Sequence, residues 1–85
     1  MPTISTFYGI IITMYYNDHM PPHFHALFGA QEALLNLDGK IIEGKFPWNK
    51  KKLVEAWIIL HKEELEANWI LAQNKAQIAQ IDPLR

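Results

Sequence analysis

The sequence contains no cysteine. Disulfides are therefore excluded, and so are thiolate metal sites. A cysteine-free chain also fits a reducing compartment. No basic segment precedes an apolar run near the N-terminus and no small-residue cleavage pattern follows one, so no secretory signal is read there. Long hydrophobic runs are missing as well: the longest, Ala56 to Leu60, falls far short of a bilayer span. Charge of one sign is not in excess. A formal net charge of −1 exerts no global pull on a polyanion, so any nucleic-acid contact must come from a local patch. There is no internal repeat and no low-complexity tract. The expectation is one cytoplasmic domain over residues 1–85, with no membrane partner.

What is present is enough to fold. An apolar fraction of 49% against a charged fraction of 20% belongs to a globular chain. A core built from so few residues contributes about 3–5 kcal/mol by itself. With disulfides excluded, the remaining reinforcements are a histidine-bound metal and association with another chain, a homo-oligomer included.

The N-terminal half alternates at the period of strands. Ile10–Tyr16 is β-branched or aromatic almost throughout, with Ile10, Ile12, Met14 and Tyr16 on one face, and Gly9 before it as a break. A shorter extended piece around Thr3–Phe7 precedes it. Asn17-Asp18-His19-Met20-Pro21-Pro22 is a turn by composition. His23–Phe28 resumes as a strand, Gln31–Leu37 follows, and Asp38-Gly39 signals a type I′ hairpin into a short strand over Lys40–Gly44. From Asn49, a fair N-cap, the period becomes helical, with Leu53, Val54, Trp57, Leu60 and His61 on one stripe widened by Ile58 and Ile59. One helix of roughly 25 residues is long for a domain of about 13 Å radius of gyration. A break near His61, with Glu63 and Glu64 opening a second helix, is the preferred reading. The tail Ala76–Arg85 is expected to lie irregularly on the body. The fold class is α+β: an antiparallel meander of three or four strands, then one or two helices, with Val54, Trp57, Ile58, Leu65 and Trp69 covering one side of the sheet.

His19, His23 and His25 form the densest chemistry in the chain, an H-x3-H-x-H pattern. Residues two apart on a strand share a face, so His23 and His25 can point the same way, about 7 Å apart at Cα. With Asp18 beside them they supply the ligand types of zinc or another divalent transition metal. Without metal, the same imidazoles suit general acid–base work on a phosphodiester. A third reading is structural, with ring N–H groups closing carbonyls around the Pro21-Pro22 kink. Alternation puts Phe24 and Phe28 opposite His23 and His25; if the phenylalanines face the core, both histidines face solvent. Asp18, Glu32 and His61 are the candidates to complete a site.

Lys45, Lys50, Lys51 and Lys52 lie within eight residues, with Phe46 and Trp48 between them. Cations mixed with aromatics suit phosphate contact and base stacking, and lysines in the first turn of a helix oppose its dipole unless an anion relieves them. The bland alternative is a solvated face. Trp48, entering a buried helix after Pro47, is expected to pack.

Taken together, Met1 to Ser5, Phe7 to Ile10, Tyr15 to His25 (with N-D-H-x-P-P-H-F-H), Glu32, Ile42 to Gly44, Leu53 to Trp57, His61 to Leu65, Asn68-Trp69 and Ile81 to Leu84 resemble a widespread bacterial family of small proteins known only as a domain of unknown function. The resemblance covers essentially the whole chain. Lysines stand at the helix start where that family's arginines are expected, which weakens bidentate phosphate recognition. The resemblance implies a toxin–antitoxin-like arrangement with a small protein partner, and nucleic acid as a second candidate partner. It assigns no catalytic residue. The first functional reading is thus an interaction module of such a pair, binding nucleic acid through Lys45–Lys52. The second is a small nuclease using His19, His23 and His25.

Overall fold

The structure is a computed structural model that describes residues 2–85. Met1, the first residue of the opening pattern, lies outside the described residues. Five strands, β1 (Thr3–Phe7), β2 (Ile10–Thr13), β3 (His23–Phe28), β4 (Gln31–Asn36) and β5 (Ile41–Gly44), form one antiparallel sheet in sequence order, followed by a helix α1 (Trp48–Gln73). The α+β class and the meander are as expected. The count is five strands because Thr3–Phe7 is a full partner of β2, joined by the two-residue turn Tyr8-Gly9. Both turn residues have positive φ, 51° and 79°, as a type I′ hairpin requires.

Register follows side-chain alternation. Ile10, Ile12, Phe24, Ala26, Ala33 and Leu35 point to one face and are fully buried beneath α1, which contributes Val54, Trp57, Ile58, Leu65 and Trp69. That helix face is the expected one. Trp57 sits at its centre, its ring 5.3 Å from Phe7 and 5.9 Å from Phe24 between centroids, and its indole N–H donates to the Asp82 carbonyl at 2.8 Å.

The connections correct several expectations. β2 ends at Thr13 rather than Tyr16, because the chain turns away to meet the end of α1: the Asn17 amide donates to the Ala72 carbonyl at 3.1 Å. The Asp38-Gly39 turn is not type I′. Only Gly39 has positive φ, and Asn36 pairs with Lys40 around a three-residue loop, the Asn36 side-chain oxygen accepting from the amides of Asp38 and Lys40. Asn49 does not cap the helix, which starts one residue earlier, after Pro47 and without a side-chain cap. Trp48 does not pack. It is 74% exposed, because Phe46 takes the inward position against Phe28.

The preferred break at His61 is a kink, not an end. Its φ and ψ of −126° and 25° leave helical geometry while the helix continues to Gln73. A straight helix of 26 residues would run about 39 Å, more than the 33 Å longest extent of the molecule, so the bend lets both halves stay on the sheet. Ile59 and Leu60 lie on the outer side, 79% and 67% exposed, where the sequence stripe placed them inward. The tail lies on the body as expected. Asn68 accepts from the Ala79 amide and donates to its carbonyl, and the Ile81 amide donates to the Ile4 carbonyl at 2.8 Å.

Candidate metal centre

The connection from β2 to β3, residues 14–22, carries the site. Its proline-rich second half cannot join a ladder, and its first half is pinned to the last turn of α1: besides the Asn17–Ala72 bond, the Gln73 amide nitrogen donates to the Asp18 carbonyl at 2.8 Å. The loop thereby folds back over the start of β3, and Asp18 arrives above His23 and His25. Those two histidines share a face, as alternation requires. They do not both point into solvent: the His23 side chain is 1% exposed and His25 15%. The reason is that the loop and Trp69, whose ring lies 5.4 Å from that of His23, cover this end of the sheet. No pattern within β3 signals that cover.

Hydrogen bonding fixes the ring nitrogens. His23 Nδ1 lies 2.7 Å from the Pro21 carbonyl oxygen, which can only accept, so Nδ1 carries a proton. His23 Nε2 lies 2.9 Å from Asp18 Oδ2, a second acceptor. A neutral imidazole has one proton for these two contacts. Either the ring holds a second proton or a cation stands in its place. His25 donates from Nδ1 to Glu32 Oε2 at 3.0 Å, which leaves its Nε2 as a lone pair. That Nε2 is buried, has no hydrogen-bond partner, and faces Asp18 Oδ2 at 3.7 Å. One ligand atom from each of Asp18, His23 and His25 therefore converges within 4.8 Å. Ligands on a tetrahedral zinc with bonds near 2.1 Å sit about 3.4 Å apart.

Burial of Asp18 pushes its carboxyl upward, but the His19 amide, donating at 2.9 Å, and the facing imidazoles outweigh that and hold it below the ordinary aspartate range. The group is a carboxylate ready to ligate. The His23 and His25 rings each have their Nδ1 anchored, one by a carbonyl and one by a carboxylate, the kind of support that ligating histidines have.

Of the expected ligands, the structure brings together His23, His25 and Asp18. His19 stays out: its side chain is 76% exposed, its ring stacks on His23 at 5.2 Å, and its Nε2 is 3.7 Å from Asp18 Oδ1. It lines the mouth instead. Glu32 orients His25 without facing the site. His61 lies apart, bonded to Glu64 at 2.6 Å with its ring against Trp57. The His23 ring does close the Pro21 carbonyl, as the structural reading of the loop anticipated; the residues that sequence reasoning missed are Gln73 and Ala72. They act from 55 residues away or through backbone, so no local pattern points to them.

The profile of a domain of unknown function, DUF4160, matches residues 9–70. The chain belongs to this family. No curated protein and no solved structure matches it. The DUF4160 match contains Asp18, His23, His25 and Glu32, and the kink at His61, whereas β1, Gln73 and the tail fall outside it. The family carries no assigned activity, so function has to be argued from the site.

The lysines do not belong to this centre. Lys50 Nζ sits 4.9 Å from the Phe28 ring, at the far end of β3 from His23, a strand length of about 17 Å away. The four differ in their partners. Lys51 and Lys52 both reach Glu55, whose carboxyl is held below its usual range chiefly by the Lys51 hydrogen bond. Lys45 is exposed.

Proposed function

We propose that this DUF4160 chain is a metal-binding protein in which Asp18, His23 Nε2 and His25 Nε2 hold one divalent transition ion, zinc foremost. The observation that carries the reading is the buried, partnerless Nε2 of His25, aimed at the Asp18 carboxylate beside a His23 Nε2 for whose contact with Asp18 a neutral ring has no proton left. Three protein ligands leave a coordination position open, the arrangement of a hydrolytic centre rather than a closed structural site. A bound ion would lower the pKa of its water, and His19, exposed at the mouth, is placed to exchange that proton with solvent. Hydrolysis of a phosphodiester is the reaction class this best serves.

Zinc titration of metal-stripped protein, followed by calorimetry and elemental analysis, should show one ion per chain. His25→Ala and Asp18→Ala should abolish it and His19→Ala should retain it. Binding that survives both His23→Ala and His25→Ala removes the site, and RNA cleavage indifferent to chelator removes the hydrolytic reading.

A second reading, an interaction module with a small protein partner as in a toxin–antitoxin-like pair, is favoured by Ile59, Leu60 and Ile70, which lie exposed on the outer side of α1. Leu60→Glu should then abolish a complex seen by light scattering. An unchanged complex would place the interface elsewhere.

A further inference from the structure

Two exposed aromatic rings flank the start of α1, and the fold makes no use of either. Trp48 is 74% exposed at the first helical residue. Tyr8 is 54% exposed and occupies the first position of the β1–β2 turn with φ of 51°. A bulky residue is out of place there: type I′ turns favour asparagine or glycine, and a residue left more than half exposed returns little burial for the strain. A lysine of the first helical turns lies beside each. Lys50 Nζ donates to the Tyr8 carbonyl at 3.4 Å, and Lys52 Nζ lies 5.6 Å from the Trp48 ring centroid, over its face. Lys45 is exposed just ahead of the helix. From Lys45 to Lys52 the chain carries four lysines and no carboxylate, and Glu55 reaches back to engage Lys51 and Lys52.

The geometry points to a binding surface for single-stranded nucleic acid, in which Tyr8 and Trp48 stack bases and Lys45, Lys50 and Lys52 meet phosphates. Stacking platforms interleaved with cations are what sequence-tolerant recognition of single strands requires. A duplex hides its base faces and would engage the lysines alone. A membrane surface fits less well: the aliphatic side chains exposed furthest, Ile59, Leu60 and Ile70, lie further along α1, whereas Ile11 and Ile42 are only 42% and 45% exposed. The surface sits at the other end of the sheet from Asp18, His23 and His25, so it stands or falls independently of metal binding.

Fluorescence anisotropy of a labelled oligothymidylate, read at several salt concentrations, tests it. Expected is salt-dependent binding that is tighter than for a duplex of the same length. Trp48→Ala should weaken it about tenfold, a loss within the range for one stacked base. Tyr8→Asn should weaken it similarly while raising Tm, since asparagine suits the turn; this variant separates binding from folding. Lys52→Gln should reduce the dependence on salt. Metal-stripped protein should bind equally. Three results would overturn the proposal: no binding at low salt, affinity unchanged in both aromatic variants, or binding to phosphatidylserine vesicles in place of the oligonucleotide.

Discussion

Glu32 sits in an exposed part of β4 and reaches no ion site itself, yet its carboxylate decides which nitrogen of His25 carries the proton. With Nδ1 protonated, Nε2 is free to ligate. Glu32→Gln should therefore lower zinc affinity by about 10–100-fold, in calorimetric titration, while the Tm of the metal-free protein stays near its original value. Asp18 gives a pH prediction. Its carboxyl is held below its ordinary value of 3.8 in the folded state, so the chain gains stability from it at pH values above 3.8 and loses that gain as pH falls through the lowered folded value. In protein treated with chelator, Asp18→Asn should flatten the acid limb of Tm against pH. An unaltered limb would show that the carboxylate is not coupled to folding. At this scale the sequence was half legible. The residue types and their shared face on β3 follow from alternation, and Asp18 was a candidate. That Asp18, not His19, joins the pair depends on how the loop folds back.

Among the elements, α1 was the most legible, because a stripe at the helical period records the face that a helix buries. Val54, Trp57, Ile58, Leu65 and Trp69 are all on that face. Less legible was its outer side, since Ile59 and Leu60 are as apolar as their inward neighbours, and only the turn of about 3.6 residues per revolution carries them away from the buried face. The second half of α1 also holds the tail. Asn68 is buried and satisfies both backbone groups of Ala79. Asn68→Ala leaves an amide and a carbonyl without partners and should cost about 2–4 kcal/mol, measured by denaturant unfolding, with faster hydrogen exchange in residues 76–82. A loss below 1 kcal/mol, roughly a single ordinary hydrogen bond, would mean that the tail is held by Ile81 and the Trp57–Asp82 bond instead.

For the whole molecule, zinc would act as the reinforcement that a short cysteine-free chain lacks. At about 100-fold excess over its dissociation constant, an ion that binds only the folded state adds about 2.7 kcal/mol, which for a domain of this size raises Tm by roughly 10–20 °C. Calorimetry with and without chelator checks this, and a Tm indifferent to zinc would count against the site. No described helix is long and apolar enough to cross a membrane. The histidines and lysines, neighbours in functional reasoning from sequence, lie at opposite ends of β3, and Lys51 is tied to Glu55 rather than free. By itself the sequence determined the antiparallel meander, the helix and its buried face, and the concentration of imidazole next to a turn, because each is written in a local period or a local composition. Tertiary structure alone decided that Asp18 completes the histidine pair, that His23 is buried, and that Tyr8 stands exposed beside Lys50 and Trp48 beside Lys52. These depend on contacts between segments far apart in the chain, from the loop to Gln73, from β3 to Trp69 and from the β1–β2 turn to Lys50, which no local pattern encodes.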